Sequence, residues 1–255
     1  MDQKAMSEKV ILITGANSGI GKSLTELMVS MGMKVVGIAR RMDKLKTLAE
    51  ELKSQPGKLI PLQCDLTNQM DIRNTSEWIE KNLGTVDILI NSAAINIDLT
   101  IQNSNMEDWK KTLDVNLLGL IAMTKETLNM MKKKGMNNGM IVNMNDTCGM
   151  RMPTMLGGPM VPKGPMSPAY IASKSALTAF TENLRMELAQ QESNIKVMSI
   201  SPGLVETEMT TQWLKQNPRM ALKPREVANA ILFALQTPDT ALVKELIITP
   251  LRETM

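Results

Sequence analysis

The sequence predicts a single α/β domain over residues 1–255, built on a doubly wound parallel sheet with helices on both faces. Short apolar runs of strand type alternate with helical patterns along the whole chain. Most of these runs are continuously apolar, as strands buried on both faces are. The chain length suits one large domain, and a hydrophobic fraction of 43% is enough for a sizeable core.

Four apolar runs in the first half of the chain predict strands. They are VILIT at 10–14, KVVGIA at 34–39, LIPLQC at 59–64 and VDILI at 86–90. Pro61 weakens the third prediction, because proline cannot donate a hydrogen bond to a neighbouring strand. Helical patterns fill the intervals at 19–30, 42–53 and 68–83, and Gly or Pro follows each of them.

The second half continues the alternation. Strands are predicted at 139–145, 195–200 and 245–249, and helices at 106–134, 169–191 and 224–236. The stretch 149–168 is a loop rich in Gly, Pro and Met. Its position suits a cover over an apolar substrate, although a disordered surface loop fits the same composition. Ligands of such sheets bind beyond the carboxyl ends of the strands, so the residues after each strand are the first candidates for a site.

Composition excludes several classes of function. The chain has no histidine, which rules out His-dependent triads and His-ligated metals, and its two cysteines are too few for a zinc site built from cysteines alone. We therefore predict no metal. Cys64 and Cys148 are expected to be free thiols in a reducing compartment, which favours a cytoplasmic location.

Charge and hydropathy exclude two further classes of partner. The net charge is +3, and the longest basic run, Lys132 to Lys134, is typical of a solvated helix end rather than of a nucleic-acid patch. No apolar run reaches the ~18 residues of a membrane span, and the polar N-terminus lacks the pattern of a signal peptide.

A glycine-rich turn follows the first predicted strand. It reads TGANSGIG at 14–21 and contains Gly15, Asn17, Ser18, Gly19, Ile20 and Gly21. Glycines permit a tight turn and a close approach of the backbone to a pyrophosphate at the start of the next helix. A strand before the turn and a helix after it favour a Rossmann-type dinucleotide site over a plain connection.

The spacing G-x-x-x-G-x-G resembles that of the short-chain dehydrogenase/reductase family. Further motifs of this family follow in register across nearly the whole chain: CDL at 64–66, NSAA at 91–94, LDVNLLG around Asn116, YIASK at 170–174 and SPGLVET at 201–207. Within the family, the ARR segment, the long loop before the tyrosine and SISPGLVET resemble insect NADP-dependent farnesol dehydrogenases and their vertebrate dehydrogenase/reductase relatives.

The resemblance implies a set of cofactor-binding residues. Those near the adenine would be Asp65 and Leu66, those along the cofactor Asn91 and Ala93, and those of the nicotinamide-side loop Pro202, Gly203, Val205 and Thr207. Two positions depart from the usual Asn-Asn-Ala-Gly of the family, namely Ser92 and Ala94.

Arg40 and Arg41 follow the second strand, where a carboxylate would bind a ribose 2′-hydroxyl and repel a 2′-phosphate. No acid is present there, and two guanidinium groups suit a phosphate. The sequence therefore predicts NADP(H) as cofactor. The alternative is that one or both arginines only cap the next helix.

Tyr170 and Lys174 lie four residues apart and therefore on one helix face. A free tyrosine has a pKa of about 10, and a nearby ammonium is expected to lower that pKa toward the working pH. In the family this Tyr moves the proton of the alcohol, and the Lys also holds the nicotinamide ribose. Asn116 resembles the residue that supports a proton-relay water, and its alternative is a satisfied helix-interior amide.

Asp146 stands where family members usually carry a serine, three residues before the position of Gly149. The serine donates a hydrogen bond to the substrate oxygen, whereas an ionised aspartate only accepts. Three alternatives remain open: a protonated Asp146 is the donor, Thr147 presents the hydroxyl instead, or the chemistry is lost or redirected.

The resemblance as a whole implies interconversion of an alcohol and a carbonyl on a small hydrophobic substrate of terpenoid, steroid or fatty-alcohol type. The rival is a catalytically impaired NADP-binding or ligand-binding protein. A homodimer or homotetramer is expected, because members of the family associate through their long helices.

Overall fold

A computed structural model describes residues 8–150, 166–216, 218 and 220–251. Its centre is a seven-stranded, wholly parallel sheet in the order β3-β2-β1-β4-β5-β6-β7. The strands are β1 (Val10–Thr14), β2 (Lys34–Ala39), β3 (Lys58–Gln63), β4 (Ile88–Asn91), β5 (Met140–Met144), β6 (Lys196–Pro202) and β7 (Glu245–Ile248). The predicted fold class is confirmed.

The helices follow the predicted positions, except that one predicted helix is divided in two and one short helix was not predicted. They are α1 (Gly19–Ser30), α2 (Met42–Glu51), α3 (Gln69–Leu83), α4 (Met106–Leu113), α5 (Gly119–Lys133), α6 (Pro168–Gln190), α7 (Thr211–Gln216) and α8 (Pro224–Leu235). A π-helical segment, Asp114–Leu118, joins α4 to α5, so the helix predicted over 106–134 changes its winding midway. α7 buries none of its side chains, so no apolar periodicity marks it in the sequence.

Two apolar layers cover the two faces of the sheet. Ile11 and Ile13 of β1 pack in one core with side chains from α1, α2 and α8. Leu12 points to the opposite face, where the core contains side chains from α3, α5 and α6. This alternation is the period of two expected for a strand, and it explains why a strand buried on both faces is apolar throughout.

β3 is an edge strand, which resolves the doubt raised by its proline. Pro61 lies opposite Gly37 of β2, the only neighbour of β3 among the described strands. Proline is tolerated on an edge, because one side of such a strand needs no donors for a ladder. No helix in the described part of the chain is both long and apolar enough to cross a membrane.

The strand order reverses between β1 and β4, which are hydrogen-bonded neighbours although β2 and β3 separate them along the chain. Crossovers leave the sheet in opposite directions at this point, so a crevice opens beyond the carboxyl ends of these two strands. The site described below lies in that crevice.

Candidate active site

A cavity of about 550 Å³ lies at the carboxyl ends of the strands. It brings together every predicted site residue except Asn91 and Asn116. Its lining includes the predicted residues Gly15, Asn17, Ser18, Gly19, Ile20, Gly21, Arg40, Arg41, Asp65, Leu66, Ala93, Asp146, Tyr170, Lys174, Pro202, Gly203, Val205 and Thr207. Residues as far apart along the chain as Gly15 and Thr207 therefore surround one space.

The glycine turn forms one wall and fits a dinucleotide backbone. Gly15 has φ +68°, and a Cβ there would lie 2.9 Å from the Ala93 Cα. A Cβ at Gly21 would lie 2.3 Å from the Gly15 carbonyl oxygen. Ser18 caps α1 without a side-chain hydrogen bond, and the first turn of α1 carries no acidic residue. The first N–H groups of α1 therefore suit an anion such as a pyrophosphate.

Thr14 fixes this turn to the end of β4. Its Oγ1 accepts hydrogen bonds from the backbone N–H groups of Ser92 and Ala93, both at 2.9 Å. The side chain is buried, so these two N–H groups find a protein partner where the sheet ends. The glycine turn and the segment after β4 are thereby held side by side along the cavity.

Charged residues lie at the part of the cavity formed by the ends of β2 and β3. Arg41 is the N-cap residue of α2, and its guanidinium, which has no acceptor, makes no side-chain capping bond. Its guanidinium instead pairs with Glu208 across 3.3 Å. Asp65 Oδ1 accepts hydrogen bonds from the Thr67 N–H at 2.9 Å and the Thr67 hydroxyl at 2.8 Å, which shapes the turn after β3.

The start of α6 positions the catalytic candidates. Ser167 caps the helix by accepting a hydrogen bond from the Tyr170 N–H at 3.2 Å, and Pro168 occupies the first turn. Lys174 lies one turn further along. Its Nζ donates to the Met144 carbonyl at 2.7 Å and lies 5.4 Å from the centroid of the Tyr170 ring. Both side chains are buried.

Asp146 lies against Tyr170. The Tyr170 hydroxyl donates to Asp146 Oδ2 across 3.2 Å, and the Cys148 N–H donates to Oδ1 across 2.9 Å. Asp146 thus caps the short 3₁₀ turn Thr147–Gly149 with one oxygen and receives Tyr170 on the other. Thr147 does not line the cavity, and its hydroxyl lies 3.5 Å from Asp146 Oδ1.

The electrostatics of the site differ from the sequence expectation. Lys174 was expected to lower the pKa of Tyr170, but the structure places that pKa well above its usual value. Burial is the main cause, because it disfavours the phenolate, and the Asp146 charge is the second. Burial also lowers the pKa of Lys174 below its usual value. The hydroxyl form of Tyr170 is therefore strongly favoured over the phenolate.

Cys148 lies beside Asp146 but is a poor nucleophile. Burial raises the pKa of its thiol, and the neighbouring Asp146 charge raises the pKa further. The thiolate, which is the reactive form, is therefore disfavoured. Among the polar residues Asn145, Asp146, Thr147 and Cys148 that follow β5, only Asn145 and Asp146 line the cavity.

Asn116 lies outside the cavity lining, with its amide fully engaged. Its Oδ1 accepts from the Ile95 N–H at 2.8 Å, and its Nδ2 donates to the Ile95 carbonyl at 2.9 Å and to Ser173 Oγ at 3.0 Å. Ser173 in turn donates to the Tyr170 carbonyl at 2.6 Å. The Asn116 side chain therefore ties the segment after β4 to α6 from within the π-helical segment.

Asn91 points away from the cavity and into the sheet layer below. Its Nδ2 donates to Asn143 Oδ1 at 2.9 Å and to Thr124 Oγ1 at 3.0 Å. Asn143 continues the chain by donating to Thr181 Oγ1 at 2.9 Å. The side chain of Asn91 thus links β4, β5, α5 and α6, and only the segment that follows it lines the cavity.

The cavity lining contains five larger apolar side chains from five separate segments, called here the apolar wall: Ile95, Val115, Met144, Met166 and Met209. Met166 falls within the loop predicted at 149–168 as an apolar cover, whereas the other four were not singled out by the sequence. The cover predicted at 149–168 falls largely on 151–165, which lie outside the described residues.

A family model described as short chain dehydrogenase matches residues 9–218. The chain belongs to the short-chain dehydrogenase family. The resemblance inferred from the motifs is thereby confirmed.

Two curated relatives within the short-chain dehydrogenase family match almost end to end. Dehydrogenase/reductase SDR family member 11 of Bos taurus is 35% identical over 254 residues, 95% of this chain and 96% of that protein. Farnesol dehydrogenase of Aedes aegypti is 36% identical over 248 residues, 96% of this chain and 97% of that protein.

A solved structure of the same fold is also similar. The closed form of a serine dehydrogenase complexed with NADP⁺ is 26% identical, with a TM-score of 0.83 over 96% of both chains. The short-chain dehydrogenase fold is therefore shared over nearly the whole length.

Proposed function

We propose that the protein is an NADP(H)-dependent oxidoreductase that interconverts an alcohol and a carbonyl on a small hydrophobic substrate. The observation that carries the proposal is the Tyr170–Lys174 pair, buried on the same cavity as the glycine turn. Such a cavity accommodates a dinucleotide along the turn and a substrate beside the tyrosine. The nicotinamide, when bound, would accept or supply a hydride at the substrate carbon.

Several side chains are suited to holding the cofactor. The N–H groups at the start of α1 suit the pyrophosphate, and the buried Lys174 suits the ribose on the nicotinamide side. Arg40 and Arg41 lie at the other end of the cavity and suit a 2′-phosphate. The NADP⁺ in the similar serine dehydrogenase structure supports the same choice.

The substrate proposal follows from the apolar wall. Its three methionines, Met144, Met166 and Met209, are flexible and polarizable, and they adapt to an irregular hydrocarbon chain. A terpenoid, steroid or fatty alcohol has this character. The similarity to a farnesol dehydrogenase of Aedes aegypti supports a terpenoid alcohol as the first compound to test.

In this proposal Tyr170 moves the proton of the substrate oxygen. During reduction its hydroxyl donates that proton, and during oxidation its phenolate accepts it, with Lys174 compensating the negative charge. Asp146 governs whether the step proceeds. As a protonated acid it would donate a second hydrogen bond to the substrate oxygen, whereas as a carboxylate it repels the developing alkoxide.

The contact between Asp146 and Tyr170 also favours a second candidate function, that of a catalytically impaired NADP-binding protein. A carboxylate about 4 Å from an alkoxide costs roughly 4 kcal/mol at an effective dielectric of 20, enough to slow the reaction about a thousandfold. The two candidates share the cofactor and differ only in turnover.

The proposal also covers the oligomeric state of the protein and its location in the cell. Leu118, at the end of the π-helical segment, and Met186, on α6, are both 54% exposed and suit a contact between copies through the long helices. We therefore propose a homodimer or homotetramer, to be checked by light scattering. Both cysteines are free, which suits a cytoplasmic protein.

The test is a screen of terpenoid, steroid and fatty alcohols with NADP⁺, and of the matching carbonyls with NADPH, at several pH values. NADPH binding is measured in parallel by fluorescence. Turnover of an apolar alcohol or carbonyl supports the oxidoreductase. Binding of NADPH without turnover of any substrate supports the impaired protein, and absence of NADPH binding contradicts both.

A further inference from the structure

Glu208 lines the cavity and forms two ion pairs with the start of α2. Its Oε2 accepts from Arg41 Nη2 at 3.3 Å, and its Oε1 accepts from Lys44 Nζ at 2.9 Å. Arg41 also lines the cavity, whereas Lys44 lies outside the lining, and Glu208 belongs to the segment after β6. One carboxylate therefore engages two cations beside the position proposed for the 2′-phosphate.

The position of this carboxylate is set by an ordered turn. The buried Thr210 hydroxyl donates to the Val205 carbonyl at 2.5 Å and accepts from the Thr207 N–H at 3.0 Å. Thr211 closes the turn by donating to the Thr207 carbonyl at 2.6 Å. The backbone on both sides of Glu208 is thus held, and its side chain is directed to the start of α2.

Glu208 is ionised at neutral pH. The hydrogen bond from Lys44, followed by that from Arg41, lowers the pKa of its carboxyl below the usual value. A carboxylate on two cations has the charge sign and the kind of acceptor oxygens that a phosphate offers. It differs in carrying a smaller charge than the phosphate.

We propose that Glu208 is an internal competitor of the 2′-phosphate of NADP(H), and that Lys44 is a further cation of that phosphate site. The inference rests on the proposed use of NADP(H). A phosphate and a carboxylate of like charge cannot both occupy Arg41 and Lys44, so the cofactor displaces Glu208 when it binds. NAD(H) has no such group and leaves the ion pairs intact.

The energetics allow this exchange. All three side chains are between 41% and 59% exposed, and exposed ion pairs are individually weak. A phosphate of higher charge attracts the same cations more strongly than Glu208 does. Glu208 therefore reduces the affinity for 2′-phosphorylated nucleotides without abolishing it.

The test compares Glu208→Gln with Glu206→Gln. Glu206 lies on the same segment, forms an exposed ion pair with Lys223 and does not line the cavity, so it is a matched control. Adenosine 2′,5′-bisphosphate and 5′-AMP are titrated by calorimetry as probes that differ in the 2′-phosphate. Thermal melting of each variant verifies that it is folded.

We expect Glu208→Gln to tighten binding of the bisphosphate about two- to tenfold, the effect of removing two exposed pairs, with 5′-AMP unchanged. Glu206→Gln should change neither probe by more than about twofold, and Lys44→Ala should weaken the bisphosphate alone. The competition is overturned if Glu208→Gln binds the bisphosphate no more tightly than the wild type does. It is also overturned if Glu206→Gln gains as much affinity for the bisphosphate as Glu208→Gln. Unchanged bisphosphate binding in Lys44→Ala removes Lys44 from the site.

The wild-type protein tests the cofactor proposal separately. Equal affinity of the wild type for the bisphosphate and for 5′-AMP contradicts the preference for NADP(H). The change between wild type and Glu208→Gln tests only the competition. Failure of the NADP(H) preference and failure of the Glu208 competition can therefore be distinguished in one set of titrations.

Discussion

The Tyr170 hydroxyl donates its hydrogen bond to Asp146 Oδ2 across 3.2 Å. The proton that this tyrosine would give to a substrate is therefore directed at the Asp146 carboxyl. A serine at position 146 would instead offer a second donor to the substrate oxygen. Several expected outcomes depend on this contact.

Asp146→Ser is expected to lower the pKa of Tyr170, because the Asp146 charge is the second cause that raises it. Oxidation needs the phenolate, so its pH profile should move to lower pH. Tyr170 is the only tyrosine in the chain, so phenolate absorbance in a pH titration reports it alone. Asp239→Ser, which changes an exposed acid, should leave the titration unmoved. A titration midpoint that stays in place or rises in Asp146→Ser contradicts the assigned cause.

Asp146→Ser is also expected to raise carbonyl reduction by roughly 10²-fold, the scale of one hydrogen-bond donor to an oxyanion. The fold should survive, because serine can keep the capping bond to the Cys148 N–H. Steady-state kcat/KM with NADPH measures the change. A large loss of activity would show that Asp146 is itself the donor, and Asp146→Asn should then retain part of the rate.

Thr147→Val tests the alternative that Thr147, and not Asp146, presents a hydroxyl to the substrate. Thr147 does not line the cavity, so this variant should change kcat/KM only a few-fold. The roughly 10²- to 10³-fold loss typical of a missing donor would identify Thr147 as the group that contacts the substrate oxygen. The kcat/KM values of the variant and of the wild type are measured on the alcohol or carbonyl found in the substrate screen.

Tyr170→Phe is expected to abolish turnover while leaving NADPH binding close to that of the wild type. Lys174→Ala should impair both, because its ammonium lies near the tyrosine ring and is proposed to hold the ribose. Single-turnover rates and fluorescence titration separate chemistry from binding. Full activity in the Phe variant would remove Tyr170 from the mechanism.

Arg40→Ala is expected to weaken NADPH binding more than NADH binding, by the ~1.5–3 kcal/mol of a hydrogen bond to a charged group. Arg40 lines the cavity and forms no ion pair with the described residues, so the variant leaves no partner unpaired. Arg73→Ala, which breaks an exposed pair on α3, is the control. Equal losses for both cofactors would exclude Arg40 from phosphate recognition.

Gly15→Ala is expected to damage both stability and nucleotide binding. A Cβ there combines φ +68° with a 2.9 Å approach to the Ala93 Cα. Gly135→Ala is a matched control, because Gly135 has φ +67° and nothing within 4 Å of its added Cβ. Both should lose the ~1–2 kcal/mol of a left-handed alanine, and only Gly15→Ala should lose more. Chemical denaturation measures the difference, and equal losses would exclude the steric cause.

The strands and most helices could be predicted because their signals are local. VILIT at 10–14 became β1 without change, and the glycine turn and the Tyr170–Lys174 pair follow from short spacings. The direction in which the pKa of Tyr170 is shifted could not be predicted, because the burial of its side chain depends on the whole fold. The pairing of Glu208 with Arg41 joins residues that only the sheet order brings together.

The position of Asn116 in a family motif does not by itself establish the role of its side chain. Its position in LDVNLLG marked it as a site residue, yet all three of its side-chain hydrogen bonds hold other parts of the protein. The change to π-helical winding around it left no trace in the apolar periodicity. The local pattern therefore singled out this residue but did not predict what its side chain contacts.

The hydrogen bond between Asn91 and Asn143 has a consequence for strand alignment. The two residues lie directly opposite each other on β4 and β5. A slip by one residue would set Val142 or Met144 opposite Asn91, deprive Asn143 Oδ1 of its amide donor, and move β5 by about 3.3 Å relative to β4. A buried acceptor left without its donor costs about 1–3 kcal/mol, so this pair favours one alignment of the two strands. The position of Asp146, two residues after β5, relative to the segment after β4 is thus set by a hydrogen bond one layer below the site.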